Sequence, residues 1–194
     1  VRTTPYLLRL SAGADGGARI DTLVTYPEST ISSSAEQLNT VLTYVRNNFP
    51  AKSYGMTFES HSTGYLPAGF YGRSDSYVYP QKRAGAKGIR QSKPSPVPFY
   101  EPEYDPSLPR VRSVGQDQQG STGGYVSYEM DIRDFADAIP MKLDFILFDA
   151  CLMGGVEVAY ELREKCHRLG FSQAEVLAEG LDYTRITPHL LGGS

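Results

Sequence analysis

The sequence predicts an α/β fold built on a mainly parallel sheet. Short apolar runs alternate with helix-patterned segments, which suggests βαβ units. The run at 143–148, LDFILF, is apolar almost throughout, as expected of a strand covered on both faces. It passes through Asp149, Ala150 and Cys151 directly into a second helix-patterned stretch. A cysteine is thereby set at the C-terminal tip of a buried strand, where ligands of open α/β sheets bind. Next to a helix N-terminus, a thiol there is also favoured as thiolate.

Residues 6–10 read as a strand, and 18–26 as another after the turn AGADGG. Ser32, Ser33 and Ser34 followed by Ala35-Glu36 form a helix start, with Ser at the cap and an acid in the first turn. Leu38, Val41, Leu42 and Val45 recur at i, i+3, i+4 and i+7, and Pro50 ends this amphipathic helix. Residues 54–60 form a strand, with His61 just after it in a glycine-permissive turn. A short helix over 131–139 stops at Pro140. After the strand at 143–148 come a helix from about Gly154 to Cys166, a short strand at 169–172 and a helical tail from Thr184 to Leu191. Residues 64 to about 124 are rich in Pro, Gly, Ser and Gln and lack strong periodicity. A long loop insertion at about 68–124 within a single domain, 1–194, is the expectation, and loops of that length are usually functional or partly disordered.

The 194 residues suffice for one sizeable core. A hydrophobic fraction of 40%, a charged fraction of 21% and a net charge of −3 argue against bulk attraction to nucleic acid or anionic membrane. The longest apolar run is too short to span a bilayer. No GxGxxG or P-loop pattern occurs, which argues against a nucleotide-binding domain.

Only two cysteines are present, Cys151 and Cys166. On one helix they would lie ~22 Å apart, too far for a disulfide. Adjacent Cys166-His167 without CxxC or HxxxH spacing argues against a zinc site, so no metal is expected. Of the three histidines, His167 sits at the expected helix end and His189 in the tail. Two parallel strands ending in His61 and Cys151 would bring both side chains to one sheet edge. Such a pair is the working unit of thiol nucleophilic catalysis. On residues alone, Cys151 as a buried structural thiol and His61 as a loop histidine remain open.

The block FDACLMGGVEVAYEL resembles the nucleophile segment of clostripain-like cysteine peptidases, which share a clan with caspases, legumains and gingipains. The segment FESHSTGYLP at 58–67 is similar to that family's histidine segment, PAKSY before it also fits, and SQAE with Glu179-Gly180 resembles the segment after the next strand. The resemblance implies a caspase-like three-layer sandwich, incomplete in this chain, and peptide-bond hydrolysis after Arg or Lys. By motif, Cys151 would be the nucleophile and His61 the general acid. The backbone N–H of Cys151 and one near Ser62 would form the oxyanion hole. Asp149 would sit in the S1 pocket with Glu179 as a second acid, suiting a guanidinium or ammonium. The competing roles are a helix N-cap for Asp149 and a plain surface acid for Glu179.

Ser62 stands where the family usually has Gly, so it would narrow the oxyanion turn or change its donor. The family's first strand has no counterpart before Val1, nor its later strands after Ser194. A processed or partial chain with a companion chain covering the open sheet edge is the expectation. Family members are often activated by cleavage after the histidine, so the resemblance implies a candidate self-cleavage region at Lys82, Arg83, Lys87, Arg90 and Lys93, the alternative being a solvated basic loop. The resemblance implies an extracytoplasmic location and no obligate cofactor. Calcium is used by some relatives, but no EF-hand-like acidic loop occurs, and Pro102 interrupts the acids at 101–105. The rival reading is a catalytically silent relative that binds peptides or partners through the same fold.

Overall fold

The computed structural model describes residues 4–67, 112–121 and 124–191. In chain order the elements are β1 (Tyr6–Ala12), β2 (Ala18–Thr25), α1 (Ala35–Asn48), β3 (Gly55–Glu59), β4 (Ser62–Pro67), β5 (Arg112–Ser121), β6 (Gly124–Asp131), α2 (Ile132–Ala138), β7 (Leu143–Asp149), α3 (Val156–Leu162), β8 (Cys166–Gly170) and α4 (Tyr183–Leu191). The basic residues Lys82, Arg83, Lys87, Arg90 and Lys93 lie outside the described residues.

The central sheet is parallel, in the order β3-β7-β8. Because successive side chains of a strand point to opposite faces, β7 feeds two layers. Ile146 and Phe148, both fully buried, meet the side of α1, α2 and α3. There Phe58, Phe135 and Phe148 form a tilted and edge-on aromatic cluster with centroids 5.0 to 6.1 Å apart. Phe145 and Leu147 face the other way and share a groove with His189 and Leu190 of α4. Helices therefore cover both faces of the parallel sheet, as the three-layer expectation requires.

The cap of α1 is Ser34, whose side chain accepts from the Gln37 N–H at 3.1 Å. Leu38 and Leu42 of its apolar stripe pack on the core. Asn39 and Arg46 then donate to the Ala138 and Pro140 carbonyls, both at 2.9 Å, locking α1 to the end of α2. Asp131 caps α2 by accepting from the Arg133 N–H at 2.7 Å.

Several elements differ from the sequence expectation. The helix expected to run to Cys166 ends at Leu162, and Cys166 opens β8 opposite Leu143. Val158, Leu162 and Cys166 all enter the same core. Their spacing of four mimics a continuing helix although the last of them sits on a strand. His167 consequently lies exposed on β8 rather than at a helix end. The turn expected after His61 is instead the start of β4, which joins an antiparallel sheet of order β4-β5-β6. β5 falls within the stretch read as irregular, and β6 begins at its end. In RSVGQDQQGS, the sequence of β5, Val114 is the sole large apolar residue, so no alternation announces the strand. Finally, among the described residues β1 and β2 pair only with each other, as an antiparallel hairpin.

Candidate active site

The last paired residues of β3 and β7 are Glu59 and Asp149. The Ser60 N–H still donates to the Asp149 carbonyl at 3.4 Å, carrying the alignment one residue further. His61 and Cys151 follow at equal distances along the two chains, each two residues past that last pair. Both therefore emerge at the C-terminal edge of adjacent parallel strands. His61 is exposed and Cys151 half-buried. The carbonyl of His61 accepts from the Gly115 N–H at 3.0 Å, and the Ser60 hydroxyl from the Gln116 N–H at 2.9 Å, so β5 braces the histidine segment.

The cysteine segment is braced from two sides. Leu152 adopts the left-handed conformation, φ 61°, and its N–H donates to the Ala174 carbonyl at 3.1 Å. The Gly154 N–H donates to the Ser172 carbonyl at 2.9 Å. Cys151 Sγ lies between the N–H and C=O of Val176, at 3.3 and 3.6 Å. The loop after β8 thus forms one wall against the thiol. The opposite wall is the start of β4, where the Ser62 hydroxyl donates to the Cys151 carbonyl. Gly64 packs so closely that a Cβ on it would stand 2.1 Å from the Leu152 carbonyl oxygen. Thr63 and Ser113 join β4 to β5 through their hydroxyls at 2.7 Å.

The thiol does not abut a helix. α3 begins at Val156, and its N-cap is Gly155, without a side-chain cap. The helix dipole acts within the first turn, so the expected dipole assistance to Cys151 does not arise from α3. The donor at the thiol is the Val176 N–H instead. For the same reason Asp149 is not a helix cap.

Asp149 is buried at 4% exposure beneath the segment that enters α4. Its Oδ2 accepts from the Leu181 N–H at 3.0 Å and from the Tyr183 hydroxyl at 2.7 Å. Its Oδ1 is buried without a hydrogen-bond partner. Burial, followed by the hydrogen bond to Asp149 and its charge, pushes the Tyr183 phenol well above its ordinary value. Glu179 is exposed on the adjoining turn. Tyr183, Val176 and Ser113 were not singled out from sequence. Each reaches the site from a distant segment through a loop, and no local pattern marks such a contact.

Cys166 lies opposite Leu143, at the other end of β7 from Cys151. Leu143 and Cys151 are eight positions apart along an extended chain, ~26 Å at the rise of a strand. Both thiols are free, and the disulfide is excluded by strand length rather than by a shared helix. Among the described residues no three His, Cys, Asp or Glu side chains cluster to hold a metal, and no helix is long and apolar enough to cross a membrane.

A parallel sheet flanked by helices, with a histidine and an Asp-Ala-Cys tip at the ends of neighbouring strands, is the architecture of the caspase-like fold. Within that class, the sequence model of the clostripain family, peptidase C11, matches residues 101–191. Three solved structures are similar. An inactive zymogen C11 protease from Parabacteroides distasonis is 29% identical with a TM-score of 0.60, over 93% of this chain and 37% of that one. A secreted C11 cysteine protease from Bacteroides thetaiotaomicron, in complex with an irreversible peptide inhibitor, is 27% identical with a TM-score of 0.66, over 98% of this chain and 41% of its own. A structure of a secreted C11 cysteine protease of the same organism, "iotapain", is 26% identical with a TM-score of 0.62, over 96% and 43%. No curated protein matches the chain in sequence. The resemblance to clostripain-like cysteine peptidases is borne out, and the chain spans 37–43% of the length of these proteins.

Proposed function

We propose that this chain carries the catalytic residues of a cysteine endopeptidase that cleaves after Arg or Lys. The observation that supports this most is the matched register of β3 and β7, which ends both strands together at Glu59 and Asp149 with His61 and Cys151 equally far beyond. In the reaction, Cys151 Sγ as thiolate attacks the scissile carbonyl carbon. The carbonyl π electrons move to oxygen, where the N–H of Cys151 and one from the segment at Ser62 stabilise the charge. Collapse breaks the C–N bond as His61 gives its proton to the departing amine. Water, deprotonated by the now neutral His61, then attacks the thioester; the C–S bond breaks, releasing the acid and restoring the thiolate and the protonated His61. Asp149 and Glu179 read the basic P1 side chain.

That one similar structure is an inactive zymogen and two others are secreted proteases supports two further readings. The protein is activated by cleavage at Lys82, Arg83, Lys87, Arg90 or Lys93, and it works outside the cytoplasm. A companion chain, covering the edge strands β3 and β8, completes the sheet.

The test is hydrolysis of fluorogenic peptides bearing Arg, Lys or Asp at P1, with and without a thiol alkylator. Alkylator-sensitive turnover after Arg or Lys is expected. Absence of any turnover by a folded protein sinks the peptidase reading, and turnover after Asp alone sinks the assignment of Asp149.

A further inference from the structure

A carboxylate oxygen accepts two hydrogen bonds, so Asp149 has roughly four acceptor positions in all. Both positions of Oδ2 are filled from within the chain, by the Leu181 N–H and the Tyr183 hydroxyl. Oδ1 is buried and has no partner. A buried oxygen without a donor is costly unless one arrives. The arrangement is enforced by Gly180, which has φ 69°. A Cβ on Gly180 would stand 2.6 Å from Oδ2 and 3.4 Å from Oδ1, so only glycine lets the main chain pass this close and deliver Leu181 and Tyr183 to the acid.

A guanidinium gains its advantage over an ammonium by spanning both oxygens of a carboxylate with two parallel hydrogen bonds. With Oδ2 saturated, Asp149 offers one oxygen, which serves a compact ammonium as well as it serves a guanidinium. We propose that Tyr183 is a specificity-determining residue: by holding Oδ2 of Asp149 it leaves a single-oxygen anchor, so that the protein cleaves after Lys at least as readily as after Arg. This rests on the reading of Asp149 as the acid that meets the P1 side chain. Tyr183 touches the specificity acid, not the reacting atoms, so its loss alters the choice between substrates more than the rate of the better one.

The experiment measures kcat/KM of the full-length protein for paired fluorogenic peptides that differ only in Lys or Arg at P1. It compares wild type with Tyr183→Phe, which keeps the ring and removes the hydroxyl, and with Glu179→Gln. Wild type is expected to favour Lys or to treat the two within about threefold, the spread of an interaction lacking the second charge-assisted bond. Tyr183→Phe frees a position on Oδ2 and is expected to raise the Arg-to-Lys ratio about tenfold. A wild-type preference for Arg above about threefold overturns the inference, without need of the variant. So does an unchanged ratio in folded Tyr183→Phe, or a ratio set by Glu179→Gln instead. In each of these cases hydrolysis after basic residues itself stands. Hydrolysis after neither Lys nor Arg overturns that underlying reading as well.

Discussion

The Ser62 hydroxyl donates to the main-chain carbonyl of Cys151, joining segments 89 positions apart. It ties the end of the histidine segment to the peptide plane that follows the thiol. That plane leads into Leu152, held at φ 61°. The oxygen brought by Ser62 therefore acts as a clasp between the two loops, a role separate from that of its main chain. Ser62→Ala is expected to lower kcat about fivefold, matching the ~1 kcal/mol of one hydrogen bond. KM is expected to stay within about twofold, because substrate contacts are not removed. Steady-state kinetics checks the split, and an unchanged kcat would mean that the Ser62 hydroxyl does not hold the two loops together.

Gly64 is the steric complement of that clasp. Its φ of 57° is unfavourable for other residues, and a Cβ would meet the main-chain oxygen of Leu152. Backbone strain of this kind costs ~1–3 kcal/mol even without the collision. Gly64→Ala is expected to lose at least ~2 kcal/mol of stability and most activity, measured by urea unfolding and peptide hydrolysis.

Below the site, Phe148 is fully buried and packs against Phe58 and Phe135. Phe148 immediately precedes Asp149, so its packing also fixes the strand tip. Phe148→Ala is expected to cost ~3–5 kcal/mol, read as a lower urea midpoint with little change in slope. A loss below ~1 kcal/mol would mean that the aromatic cluster does not carry the core.

Much of this arrangement was legible from sequence because apolar pattern and chain punctuation are local signals. Ser34, Leu38, Leu42 and Pro50 announce α1, and LDFILF followed by Asp149-Ala150-Cys151 announces β7 and its tip. The alignment of His61 with Cys151 follows once β3 and β7 are taken as parallel neighbours. What escaped was pairing that leaves no periodic trace. The polar strand β5 finds its partners through backbone bonds to β6. Cys166 continues the spacing of a helix that has already ended. The cover over Asp149 depends on a loop that brings Tyr183 back across 34 positions.

The two thiols are expected to behave differently. Cys166 is 8% exposed and its Sγ faces the Leu162 carbonyl, and burial pushes its thiol above the ordinary 9.0. Iodoacetamide on the native protein is expected to modify Cys151 and spare Cys166 until the chain unfolds, as peptide mapping can show. The pH dependence follows with its sign. A group whose folded pKa is raised stabilises the fold while protonated, so this contribution is intact below pH 9 and is lost as pH rises through the folded value. Urea midpoints between pH 8 and 11 are expected to fall less steeply for Cys166→Ala than for wild type, although that variant starts lower because of the cavity.

The central claim is that Cys151, aligned with His61 at the end of two parallel strands, is the nucleophile. A peptidyl chloromethyl ketone with Lys at P1 tests it most directly, with intact mass and peptide mapping as the readout. One adduct per chain is expected, on Cys151, slowed at least about tenfold in His61→Ala and absent from Cys151→Ala. An adduct on any other residue, or none on Cys151 in a folded protein whose free thiol still reacts with iodoacetamide, would contradict it.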